Sequence, residues 1–254
     1  MTSCNLTGFG LAAQNYLKTL LLFSDVLCVQ EHFLLDHKDK KHSNTKKLVN
    51  ILGSSHDMYI VPACKSNKQV TRGQGGLVTL WRKGLTKYVT KVDCSNFRLR
   101  ATKFSFESSQ LLVVNAYLPC DPRVDNFDDT ELVNLLADLK NVLESSNCFN
   151  IIIAADLNSD FSWNTRFTSI VEESLENLNL KIFWEDSDNS NIQPVDYTFM
   201  AEVNNVVTTS TIDQFSSINL LYDCVIEAGV IHCAENLSNH SAIYAKLCLG
   251  ENQN

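Results

Sequence analysis

Polar residues able to do chemistry stand where apolar runs of this chain end. Glu31 closes "DVLCVQE", Asn115 and Tyr117 close "LLVVNAYLP", and Asp156 and Asn158 close "IIIAADLN". Ser210 and Asp213 lie in "TSTIDQF", Asn239 and His240 lie in "LSNHSAI", and Asn5 ends a short opening segment, "TSCN". Acid, amide, phenol and imidazole brought to one sheet edge are what a site for acid–base work or hard-cation binding requires. Each also has a structural reading. Asp and Asn favour turns, Glu31 suits a surface, Tyr117 a core edge, and His240 a cap. The residue types alone leave both readings open.

The elements that must carry these residues follow from hydrophobic pattern. Ile151, Ile152, Ile153, Ala154 and Ala155 are branched or small and uncharged, as in a strand buried on both faces. Residues 11–23 have helical spacing, and residues 25–30 read as a short buried strand. A basic loop, 37–47, runs into a helix. Strands are expected over 58–61, 76–81, 87–92, 97–106 and 111–117, and "FRLRATKFSFE" alternates as a strand with one wet face does. Leu132, Leu135, Leu136, Leu139 and Leu143 form the inner stripe of a helix over 130–145. A second helix is expected over 165–178, then strands near 197–200, 211–215, 220–226 and 242–248. Many strands with few interposed helices imply a mixed α/β domain with helices packed outside sheets. Neither a repeat nor a Pro/Gly-rich linker divides the chain, so 1–254 is read as one domain.

The 254 residues include 21 Lys and Arg against 29 Asp and Glu, a formal net charge of −8. The average hides a division. Residues 1–104 carry 16 of the basic and 6 of the acidic residues, a surplus of ten positive charges; the remainder carries a deficit of 18. A dipolar surface could present one face to phosphate, although both sets also read as solvated faces. The nine Cys are odd in number and lack Cys-x-x-Cys pairs, which favours free thiols in a reducing compartment. No run approaches bilayer length and no signal peptide is visible, so an intracellular protein without a membrane partner is expected.

"CVQE", "NAYLP", "ADLNSD", "STID" and "SNHSA" occur in an order that resembles the endonuclease/exonuclease/phosphatase superfamily. The likeness spans nearly the whole chain, and "YTF" before "STID" with the closing "SNHSA" is most similar to endonuclease domains of non-LTR retrotransposons. The resemblance implies a four-layer αββα sandwich of two mixed sheets flanked by helices, with the site at one end. It implies Mg²⁺, with Mn²⁺ as an acceptable substitute, held by Glu31 with Asn5 and Asn239. Asp156 would orient or deprotonate the attacking water, Asn158 would donate to an oxyanion, and Tyr117 would steady the phosphate. Asp213 would hold His240 in its working tautomer, while Asn115, Thr198 and Ser210 would support the substrate. Lys40, Lys41, Lys46, Lys47 and Arg72 would contact DNA.

The expected activity is nicking of DNA to leave a 3′-hydroxyl that primes reverse transcription. That implies nuclear action on genomic DNA and a reverse-transcriptase domain elsewhere in a larger polyprotein. Two alternatives stay open: a phosphodiesterase or phosphatase acting on a small molecule or lipid, and a catalytically silent nucleic-acid-binding relative. The last gains from a departure, since Asn239 stands where the family usually has Asp.

Overall fold

Both faces of the isoleucine run are covered, as its composition requires. The computed structural model describes residues 1–35, 45–65, 73–124, 126–185 and 189–249, with the side chains of Thr45 and Lys47 outside that description. The first elements are β1 (Thr2–Asn5), α1 (Leu11–Phe23), β2 (Val26–Gln30), α2 (Thr45–Leu52), β3 (His56–Val61) and β4 (Leu77–Arg82). A 3-10 turn, Lys83–Tyr88, leads to β5 (Val89–Val92), β6 (Leu99–Ser105), β7 (Gln110–Tyr117), α3 (Thr130–Ser145) and β8 (Ile151–Asp156). Then come α4 (Arg166–Asn177), β9 (Leu180–Ile182), β10 (Phe199–Val203), β11 (Val206–Ser210) and β12 (Asp213–Ile218). The last are α5 (Asn219–Tyr222), β13 (Val225–Ile231) and β14 (Ala242–Leu247).

Two six-stranded mixed sheets result, ordered β13-β14-β1-β2-β4-β3 and β5-β6-β7-β8-β12-β9. Strands β10 and β11 form a separate two-stranded ribbon. Each large sheet has one parallel pair, β1 with β2 and β7 with β8, and the crossovers between them carry α1 and α3. Three apolar layers follow. Tyr16, Leu17, Leu20, Leu48 and Leu52 pack α1 and α2 on the outer face of the first sheet. The leucines of α3, with Phe167 and Val171 of α4, cover Val114, Ile151 and Ile153 of the second. Cys28, Trp81, Phe104, Val113, Ile152, Phe215 and Ile243 fill the space between the sheets. The architecture is a four-layer αββα sandwich.

Several sequence expectations shift. Residues 220–226 do not form one strand: Leu221 and Tyr222 turn inward on α5, and the strand begins at Val225. The 3-10 turn occupies the start of the strand expected over 87–92. Strand β11 escaped notice because four of its five residues are exposed, so it carries no core pattern. All nine cysteines are free.

Asn115 is a clear correction. It is fully buried between the sheets, not placed at a substrate. Its Nδ2 donates to the carbonyls of Val29 (3.2 Å) and Val78 (3.1 Å), and its Oδ1 accepts from Gln30 Nε2 at 2.8 Å. Gln30 also donates to Ser3 Oγ at 2.9 Å, so one polar bridge fixes how the sheets sit on each other near their site end. Asn115→Ala would take partners from buried groups of the opposing sheet, the carbonyls of Val29 and Val78 and the Gln30 amide. We expect urea unfolding to show a loss of about 1–3 kcal/mol, the cost of an unmade buried hydrogen bond. Unchanged stability would remove the bridge from the determinants of sheet packing.

Candidate active site

The inward faces of the strands bring the expected residues together. On β8, Ile152, Ala154 and Asp156 alternate toward the space between the sheets, and Asp156 ends the strand. Its register partners are Tyr117 on parallel β7 and Asp213 on antiparallel β12. Tyr117, Asp156 and Asp213 therefore form one row across the second sheet. Facing it, Asn5 and Gln30 pair at the ends of β1 and β2.

Glu31 reaches this row by an unusual backbone turn. Continued alternation after Gln30 would send its side chain toward the helical layer. Instead Glu31 has φ +52°, a left-handed conformation uncommon outside Gly and typical of functional sites. Its carboxylate accepts from Tyr117 Oη at 2.8 Å and from Asn5 Nδ2 at 2.9 Å. The same Asn5 amide donates to Asp156 Oδ2 at 2.7 Å, so one NH₂ group joins the two carboxylates. Asn5 Oδ1 accepts from the backbone N–H of Thr7 at 2.8 Å. Asn5 thus sits in the site as a donor to carboxylates. Asn158, also left-handed at φ +49°, donates its backbone N–H to Asp156 Oδ1 at 2.9 Å and its Nδ2 to Leu118 O at 2.9 Å. The second hydrogen of that amide is available to a substrate oxygen.

His240 Nδ1 lies 2.9 Å from Asp213 Oδ2, and both side chains are buried. Thr198 and Ser210 stand behind this pair and support it through the backbone. Thr198 Oγ1 accepts from the backbone N–H groups of Ile212 (3.0 Å) and Asp213 (2.9 Å), while Thr198 N donates to Ser210 O at 3.0 Å. Asn239 is exposed, and its backbone carbonyl accepts from Met200 N at 2.9 Å. Sequence reasoning missed Phe199, whose ring meets the His240 ring edge-on with centroids 4.9 Å apart. It also missed Ser238, which donates to Asn5 O at 2.9 Å. The first residue of "SNHSA" and the apolar member of "YTF" carried no chemical signal of their own. Lys46 is exposed on α2, whereas Lys40, Lys41, Arg72 and the Lys47 side chain lie outside the described residues.

Electrostatics follow from burial. Desolvation, reinforced by the Asp213 charge, raises Asp156 from 3.8 to about 7. Burial alone would lower His240, but the charge and hydrogen bond of Asp213 outweigh it and raise the imidazole to about 9. Desolvation and the Glu31 charge push Tyr117 well up, so it stays a neutral donor. Ligand atoms of Asp156, Asp213 and His240 all lie within 4.8 Å of one another. With His240 Nδ1 directed at Asp213, the donors left are mainly carboxylate oxygens, and Glu31 adds a partly exposed one. This set fits a hard divalent cation. Beside Glu31 and Tyr117 opens a cleft of about 670 Å³, also lined by Lys65, Phe97, Arg98 and Cys120.

No family model matches the sequence, and no curated protein does. Solved structures do match over almost their full length. The endonuclease domain of TRAS1, a telomere-specific non-LTR retrotransposon, is 11% identical, with a TM-score of 0.64 over 98% of this chain and 97% of its own. The AP endonuclease LMAP from Leishmania major is 16% identical, with a TM-score of 0.70 over 96% and 86%. The 3′ phosphatase NExo from Neisseria, solved with a product DNA hairpin, is 13% identical, with a TM-score of 0.67 over 97% and 98%. The chain has the endonuclease/exonuclease/phosphatase fold.

Both raised values act on stability in one direction. The native state holds its protons to higher pH than the unfolded chain, so stability falls as pH rises. Asp156 contributes this loss between about 3.8 and 7, and His240 between about 6.5 and 9. In metal-free protein, Asp213→Asn should lower the His240 midpoint from about 9 and flatten the loss of stability above pH 6.5. Ring-proton NMR titration and thermal melts read both quantities. An unmoved midpoint would mean that Asp213 does not hold the charge on His240.

Proposed function

We propose that this chain is a divalent-metal-dependent phosphodiester hydrolase that nicks DNA. The observation that carries the proposal is the single row Tyr117–Asp156–Asp213, with Asn5, Glu31 and His240 converging on it from the other sheet. Phosphodiester hydrolysis needs an activated water, charge neutralisation on the phosphoryl oxygens, and groups that hold both in line. A cation held by Glu31 would supply charge neutralisation when bound. Asp156, raised toward neutral pH, suits a base that takes a proton from water. Cationic His240, kept charged by Asp213, faces the developing phosphoryl charge. Asn158 donates from the second hydrogen of its amide, and Tyr117 positions Glu31.

The DNA substrate is supported by the TRAS1 domain and by NExo, whose structure holds product DNA. Cleavage is proposed to leave a 3′-hydroxyl that primes reverse transcription on nuclear genomic DNA, with a reverse-transcriptase domain in the full-length protein and Mg²⁺ as the ion. The phosphatase reading keeps one support, the 3′ phosphatase activity in the name of NExo.

Relaxation of supercoiled plasmid with Mg²⁺ and with chelator tests the reading, alongside phosphate release from a 3′-phosphorylated oligonucleotide. Nicking that chelator abolishes supports the endonuclease; phosphate release alone would favour the phosphatase. His240→Ala should cost on the order of 10²–10⁴ in single-turnover rate, the range for a positioned acid–base group. Glu31→Ala should raise the Mg²⁺ requirement steeply with the fold retained, and normal cleavage at limiting Mg²⁺ would remove Glu31 from the cation site.

Asn239→Asp places a further carboxylate at the exposed rim beside His240. Activity should rise, most at low Mg²⁺. A loss, with circular dichroism unchanged, would show a site built around the amide.

A further inference from the structure

A second histidine stands behind the catalytic pair and has no part in the proposed chemistry. His232 follows the end of β13. Its Nε2 lies 3.0 Å from Asp196 Oδ1, and its Nδ1 lies 2.9 Å from Ser241 Oγ. The Tyr197 ring rests against it, centroids 4.6 Å apart. A carboxylate, an imidazole and a hydroxyl in line have the order of a nucleophilic triad. The surroundings of Ser241 argue otherwise: it is only 9% exposed, and its N–H donates to Thr198 O at 2.7 Å, so a substrate has no open approach to its hydroxyl.

What this row joins gives it a different use. Asp196 and Tyr197 lead into Thr198 and Phe199, and Ser241 directly follows His240. Thr198 holds the backbone of Asp213, and Phe199 packs on the His240 ring. His232 therefore clamps together the two segments that locate the two halves of the catalytic pair. An ordinary surface pair, which its exposed bond to Asp196 resembles, would contribute little. The second bond, to a buried hydroxyl adjoining His240, sets it apart.

We propose that His232 is a positioning residue, locking segment 196–199 against residues 240–241 so that the His240 imidazole stays aligned on Asp213. The inference rests on the reading of Asp213 and His240 as a working pair. Misplacement by about an ångström can cost on the order of a hundredfold in rate. His232→Ala should therefore lower kcat for plasmid nicking by about tenfold to a hundredfold, with KM for DNA little changed. The His240 ring proton bonded to Asp213, followed by ¹H–¹⁵N NMR, should shift or broaden. His232→Asn, which keeps a polar partner near Ser241, should recover part of both. Wild-type kcat with an undisturbed His240 signal in His232→Ala would overturn the proposal, even if its thermal midpoint fell. Should that variant not fold, Ser241→Ala removes only the hydroxyl, and an unchanged His240 signal there overturns it equally. If wild-type protein does not nick DNA, the functional reading fails, yet the His240 signals still decide the role of His232.

Discussion

Two carboxylates face each other where the inter-sheet core ends. Asp213 is the register partner of Asp156 across β12 and β8, and both are almost fully buried. Like charges directly opposed in an antiparallel pair repel, and desolvation adds to the penalty. Every other feature of the site answers that constraint. His240 places a positive charge on Asp213. Asn5 and the Asn158 backbone donate to Asp156, which also keeps its proton to about pH 7. A divalent cation beside Glu31 would be a further counter-charge of the same kind. The arrangement is a set of compensations around one repulsion, and the compensating groups are those that phosphate chemistry would use.

The sandwich suits this because its central strands end together. Each sheet carries one parallel pair, joined through a helix on the outside, so the carboxyl ends of four strands converge at one end of the molecule. Asn5, Tyr117, Asp156 and Asp213 then sit at the ends of rigid strands, and Glu31, Asn158 and His240 lie within two residues of one, which holds the groups closely in place. Asn115, one row deeper, bonds across to Gln30 beside Asn5, and the pair locks the sheets in register just beneath the site. One exception to strand geometry is needed. Glu31 must leave the alternation of β2 to face Tyr117, and the left-handed φ at that residue is the local strain that achieves it.

How much of this could be read in the sequence depended on whether a residue's surroundings repeat with a period. The leucine stripe marked α3 over Thr130–Ser145, and the apolar spacing marked α1 over Leu11–Phe23, because each buries one face against one layer. Two-sided burial explained the isoleucine strand, and the abrupt change at Asp156 marked its exit from the core. Where burial is not periodic, pattern was silent. Strand β11 is mostly exposed, and α5 turns only two residues inward. Asn115 looked like a site residue because an amide near a strand end has the same composition whether it meets substrate or the opposing sheet. Its position one row below Tyr117 and its inward face decided the matter, and both are properties of sheet pairing that one strand cannot reveal.

The energetics of Asp156 bear on why it is there. Its ionisation is opposed by burial and by Asp213, so above its unfolded pKa it weakens the metal-free fold. A neutral side chain at the end of β8 would serve packing as well, as Ala154 does one row deeper. The left-handed Glu31 and the buried His240 are likewise poor choices for stability alone. Residues that break local rules at one place, while the rest of the chain follows them, mark where a sequence gives up stability for chemistry. Here the broken rules converge on a single row, and the groups gathered at it are three acids, an amide, a phenol and a charged imidazole. That convergence supports a hydrolytic site more strongly than any one of these residues does alone, because the cost of each is offset only when the others are present.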